Sequence, residues 1–237
     1  MSISKQYNRI IRKELRVHAA WFPIVNVYTI GDYGIIENGL FVRRGNIKKD
    51  FGVSLDVLDS PDASINFKST STTIIKLDGG VPVQTIPATS ITAQVKVQFS
   101  RTKSFLIKSP SIKVKAIASP NTVAQTLAAH PTWRPNYKVV YEIYFAKKAI
   151  VISTKDSNTE LVFSGNATAL ENLDLGNVNL NMSFTKAVGL DIQGKEGVLG
   201  LGLFQVSNGS MDAVRGAKKP VKVTAVKVSE MELADDL

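Results

Sequence analysis

From residue 24 onward, apolar and polar residues alternate with a period of two. The clearest case is ITAQVKVQFS, where Ile91, Ala93, Val95, Val97 and Phe99 share one side and Thr92, Gln94, Lys96, Gln98 and Ser100 the other. Such alternation places one face in a core and leaves the other in water, which is the habit of antiparallel strands. SIKVKAIA continues it, with Lys113 and Lys115 opposite Ile112, Val114 and Ala116. YKVVYEIYF, AIVIS, TELVFSG, LDLGNVNLNMSF, AVGLDIQG and GVLGLGLFQV follow, separated by Gly, Asn or Asp turn chemistry. VKVTAVKV is a last strand whose phase slips by one residue, the mark of a bulge.

Two hairpin signals stand out. IIENGLFV carries Asn38-Gly39 between apolar runs, and a type I′ turn needs positive φ at both positions. SINFKSTSTTIIKLDGG reads as one long or two short strands ending on Asp78-Gly79-Gly80. Arg43, Arg44, Lys48 and Lys49 gather at one end of the first hairpin. DVLDSPD reads as an Asp-rich turn: Asp56, Asp59 and Asp62 lack the glycine and bidentate glutamate of a calcium loop. SNGSMDAVRGAKKP reads as a loop.

Helical period appears twice. In residues 3–18, Ile3, Tyr7, Ile10, Ile11 and Leu15 form an apolar stripe while Arg9, Arg12, Lys13 and Arg16 line the opposite side. Pro23 ends the segment just after Trp21 and Phe22. Either the stripe packs on a sheet with arginines in water, or the basic face meets lipid phosphates while Trp21 and Phe22 enter the headgroup boundary. Ser119 as N-cap and Pro120 at the first helical position open a short second helix that His130-Pro131 closes. About ten to twelve strands and two helices fit one mostly β (α+β) domain over residues 1–237, a bent antiparallel or mixed sheet or sandwich. Its N-terminal amphipathic helix spans residues 1–20 and an acidic tail residues 230–237.

The 237 residues carry a net charge of +9. Glu230, Glu232, Asp235 and Asp236 place four of the 20 acids in the tail, which holds none of the 29 bases, so the body is more basic still. Basic bodies attract anionic lipid, acidic proteins or nucleic acid. Aromatics make up only 8% and no strand carries the stacking pattern of an RNA-binding sheet, so nucleic acid is not an expected partner. The absence of cysteine excludes disulfides and thiolate chemistry, and no apolar run reaches the roughly 18 to 20 residues of a membrane-spanning helix. A cytoplasmic, bacterial-type protein with a membrane-associated state is the expected setting.

Nothing points to catalysis. His18 and His130 stand at predicted helix ends, where a cation suits the dipole. SISK at residue 2 and SFTK at 183 match Ser-x-x-Lys, but SISK lies at a frayed terminus and SFTK falls in a strand, where residues three apart point to opposite faces. GVLGLG has the wrong spacing for a dinucleotide loop. No cofactor, metal or small-molecule substrate is expected.

The layout resembles the pore-forming region of gasdermins, including their small bacterial members: a basic amphipathic first helix, a hairpin with a basic tip, long amphipathic strands rich in Thr, Ser and Lys, and an acidic-hydrophobic tail. The resemblance implies lipid contact by the first helix and nearby bases, and strand insertion by ITAQVKVQFSRTKSFLIKSPSIKVKAIA and VNLNMSFTKAVGLDIQ. MELADDL would be the inhibitory cover. Bacterial members carry a lipidated cysteine that this chain lacks. The expected membrane-contacting residues are Arg9, Arg12, Lys13, Arg16, Trp21 and Phe22, with Arg43, Arg44, Lys48 and Lys49. The alternative is a structural module that forms a homo-oligomer or docks on an acidic partner.

Overall fold

The computed structural model describes residues 2–165, 167–172, 181–184, 188–208 and 221–225. The fold is mostly β with one substantial N-terminal helix. In chain order the elements begin with α1 (Ile3–Leu15), β1 (His18–Ala19), β2 (Asp32–Glu37), β3 (Leu40–Asn46) and α2 (Ile47–Asp50). Then come β4 (Val57–Lys68), β5 (Thr72–Asp78), β6 (Val81–Val83), β7 (Gln94–Phe99), β8 (Phe105–Ile117) and α3 (Pro120–Ala129). β9 (Lys138–Thr154), β10 (Thr159–Ser164), α4 (Ala167–Asn172), β11 (Asn181–Phe184), β12 (Val188–Asn208) and β13 (Val221–Ala225) complete the series.

The chain forms two compact units from discontinuous segments. Residues 63–112 and 146–196 make the first, and residues 2–62, 113–145 and those from 197 make the second. The divisions fall inside β4, β8, β9 and β12.

In the first unit, a sheet runs β11-β10-β7-β5-β6, antiparallel throughout. Val97 of β7 sits opposite Leu161 on one side and Ile74 on the other. The alternation read from the sequence holds here: Val95, Val97 and Phe99 are buried with Leu106, Ile150, Ile152, Leu161, Phe163 and Leu170. The strand starts at Gln94, however, so Ile91 is not on its buried face but 96% exposed. Ser90 and Thr92 hydroxyls both donate to Asp78 Oδ1, tying this stretch to the turn after β5.

The second unit is built on the order β1-β12-β9-β2-β3, with β13 on the outside of β12. The Asn38-Gly39 hairpin is as expected: β2 and β3 pair through Glu37 and Leu40, with φ of 51° at Asn38 and 78° at Gly39. YKVVYEIYF and AIVIS form a single strand, β9, and AVGLDIQG with GVLGLGLFQV another, β12. Ser2 caps α1 by accepting from the Lys5 amide, which gives SISK a structural role. α3 starts at Pro120, but the Ser119 side chain makes no capping hydrogen bond. α2, unpredicted, is a single turn capped by Asn46, whose side chain accepts from the Lys48 amide. Around it, rings of Tyr33, Phe51, His130, Trp133 and Tyr137 contact one another at centroid distances of 4.9–5.9 Å. They cover a core of Ile47, Val53, Ile117, Val123, Leu127 and Phe204.

Four further expectations change. DVLDSPD is not a turn, because Val57–Asp62 opens β4, and β4 pairs with β8, whose Lys113 and Lys115 bridge to Asp62 and Asp59. The opposite charges on the neighbouring strand make an extended Asp-rich segment tolerable. α1 ends at Leu15, closed by Arg16 in a left-handed cap, and His18 lies in β1 opposite Leu201. Arg43 and Arg44 lie within β3 itself, not at a hairpin tip. Residues 24–31, where the two-residue alternation begins, are irregular, as are residues 20–23 before them. The tail 230–237, the loop residues 209–220 and the predicted bulge after Ala225 lie outside the described residues, as do parts of LDLGNVNLNMSF and SFTK.

Candidate functional site

α1 already has a use for its apolar face. Tyr7, Ile10 and Ile11 are buried, and the Tyr7 hydroxyl donates to the Leu199 carbonyl of β12. Burial raises the Tyr7 pKa well above its ordinary value. Asn8 is buried too, donating to the Gly39 carbonyl and accepting from the Ala19 amide. The helix therefore packs on its own sheet, with Lys13 and Arg16 exposed and Arg9 half-buried. Arg12 turns inward, its guanidinium 3.2 Å from His18 Nδ1. A guanidinium only donates, so that imidazole nitrogen is the acceptor.

What projects outward is the loop that follows. Trp21 and Phe22, joined by a cis peptide, stack with centroids 4.7 Å apart, and Trp21 also touches Tyr7 at 5.9 Å. The Trp21 carbonyl accepts from Asn26 Nδ2 and from the Tyr28 hydroxyl. These bonds fold the segment into a bulge that leaves Phe22 54%, Val25 66% and Val27 76% exposed. Large apolar side chains so exposed, three within six residues, are unusual outside interaction sites. The loop is anchored at its base by the Ile24 amide on the Val198 carbonyl, 2.9 Å. Gly197 permits that approach, since a β-carbon there would strike the Ile24 carbonyl.

The other end is held by a polar cluster around Asp32, which is 1% exposed. Its carboxylate accepts from the Thr29 amide and hydroxyl and from Asn46 Nδ2, each at 2.9 Å, and from Arg43 at 3.4 Å. The same Arg43 nitrogen donates to the Val27 carbonyl at 3.0 Å. Gly31, with φ +82°, lets the chain turn where a side chain would hit Leu55.

Of the ten predicted contact residues, Trp21 and Phe22 lie on this loop, and Arg43 reaches it from β3. Arg44 pairs with Glu37 at 2.8 Å, and Lys48 and Lys49 are exposed on α2. Val25, Val27 and Asp32 were not anticipated. In VNVYTIGDYG the apolar residues alternate just as in a strand, and nothing local separates a strand from a loop propped up by a buried aspartate three to seven residues on.

Elsewhere, in the first unit, a recess of about 250 Å³ is lined by Thr73, Gln98, Ser100, Asn158, Thr159 and Glu160. Hydrogen bonds from Gln98 and Lys96 hold the Glu160 carboxyl below its usual value, so it stays ionised and engaged. Among the described residues no three His, Asp or Glu side chains cluster as metal ligands, and no helix is long and apolar enough to cross a membrane. The molecule belongs structurally to the mostly-β α+β class, with an apolar loop as its most distinctive surface feature. No protein-family model matches the chain, and no curated protein is similar to it in sequence.

Proposed function

We propose that the protein is a non-enzymatic binder of anionic membranes that docks through the loop carrying Phe22, Val25 and Val27. The observation behind this reading is the exposure of those three side chains on a braced loop. Burying a fully exposed side chain of this kind contributes about 1.5–3 kcal/mol, and these are half to three-quarters exposed, so three together support weak, reversible attachment. Cations near an anionic surface add about 1 kcal/mol each, and Lys13, Arg16, Lys48 and Lys49 are exposed in the same unit. Arg43 and Arg44 contribute less, because Asp32 and Glu37 already offset them. Strand insertion is the step that the gasdermin resemblance adds to docking.

Co-sedimentation and dye release with phosphatidylserine-containing and neutral vesicles test the proposal. Wild-type protein should pellet with the anionic vesicles, and a variant with Phe22, Val25 and Val27 all changed to Ser should lose that binding. Release of dye indicates insertion beyond docking; failure of the wild type to bind either vesicle retires the membrane reading. A second reading, an interaction module, is favoured by a different feature: Val81 and Ile91 are exposed in the first unit. Concentration-dependent self-association without lipid, lost on Ile91→Ser, would support it.

A further inference from the structure

We infer that Arg43 is the positioning residue of the docking loop, not a ligand for lipid headgroups. The inference rests on the membrane reading for its purpose, but its structural content can be tested without lipid. One guanidinium nitrogen of Arg43 reaches both the Val27 carbonyl, 3.0 Å, and the Asp32 carboxylate, 3.4 Å. Val27 is the most exposed of the loop's apolar residues, and Asp32 is the buried post on which the loop turns. The arginine thus spans from strand β3 to the backbone of Val27 in an irregular segment. This nitrogen is committed inward, to a backbone oxygen of the loop and to a carboxylate that would otherwise carry its buried charge on neutral donors alone.

The loop has other contacts, among them the Tyr28 hydroxyl on the Phe41 carbonyl of β3 at 3.4 Å. Ile24 is held on β12 and Thr29 on Asp32, while Asn26 and Tyr28 bond back to Trp21. For the Val27 backbone, Arg43 supplies the tie to the sheet. A loop that must carry three apolar side chains into a membrane together gains from such a tie, because ordering it beforehand removes that cost from binding. Arginine is well matched to this position, since it stays charged and its rigid planar head presents one nitrogen to both acceptors, where lysine's strongly hydrated ammonium on a flexible stem is a poorer tie.

Two variants of the full chain, Arg43→Gln and Arg43→Lys, test this. Without lipid, hydrogen exchange at the amides of residues 25–29 should quicken about tenfold in both, with α1 and β7 amides unchanged. Equal exchange in wild type and both variants overturns the inference. On phosphatidylserine vesicles both variants should bind more weakly while the dependence of affinity on salt keeps its wild-type slope. A flattened slope in Arg43→Gln with wild-type behaviour in Arg43→Lys identifies Arg43 as a charge that meets the headgroup, and also overturns it. If wild-type protein binds no vesicle, the membrane reading falls, and the exchange measurement alone still decides whether Arg43 holds the loop.

Discussion

Asp32 shows how one side chain can set the course of a dozen residues. Its carboxylate is buried and accepts from Thr29, Asn46 and Arg43. Asp32→Ala leaves those donors without their acceptor, and unfolding in urea should show a loss of about 2–4 kcal/mol. Glu142 makes the opposite case. Its carboxyl lies over Gly202, where no side chain intervenes, and burial raises its pKa although the Tyr144 hydroxyl donates to it. A carboxyl that binds its proton more tightly when folded contributes stability at low pH that is lost as pH rises above the unfolded value of about 4.3. Glu142→Gln should therefore be neutral to stabilising at neutral pH and lose that advantage in acid, as urea midpoints across the pH range will reveal. Tyr144, pushed up to about 12 by burial and by Glu142, carries the same sign into alkali. Stability should fall as pH rises beyond about 10, and less steeply in Tyr144→Phe.

At the scale of elements, α1 and β7 behave as amphipathic pieces with their apolar faces inside. Ile11 is fully buried and packs beside Gly200 of β12. Ile11→Ala should cost about 2–5 kcal/mol in a denaturant titration, whereas the exposed Lys13→Ala should change stability by less than about 0.5 kcal/mol. These elements were legible in the sequence because their periodicity and their environment agree: Val95, Val97 and Phe99 alternate with wet residues and are buried. The Asn38-Gly39 turn was legible because its chemistry is local. DVLDSPD was not, since its extended form depends on Lys113 and Lys115 of a strand some fifty residues later. The loop at residues 20–31 was missed for a related reason: its apolar residues mimic a strand, and its shape depends on Asp32, Asn46 and β12. Of the site, Trp21 and Phe22 were readable as an aromatic pair before a proline. The tie from Arg43 to the buried Asp32 and the surface pairing of Arg44 with Glu37 were not, because a cation in sequence does not display its counter-ion.

For the whole molecule, charge and apolar surface make separable contributions to the proposed attachment. Binding to anionic vesicles should weaken with salt yet persist in part at about 0.5 M, where a Debye length of a few ångströms leaves only the apolar contribution. Ending the chain at Ser229 removes four negative charges and no positive ones, and should tighten binding to anionic vesicles without altering binding to neutral ones. Co-sedimentation at two salt concentrations measures both effects. The pairing of β1 with β12 has a consequence of another kind, for the chain during its own synthesis. His18 and Ala19 meet Leu201 and Gly200, so the sheet that receives α1 is missing its nearest strand until some 180 further residues have been made. At roughly 5–20 residues per second the interval is about 10–40 seconds. Through it, the greasy side of the first helix emerges from the ribosome ahead of its seat, as a natural client for whatever chaperone or bilayer lies nearest.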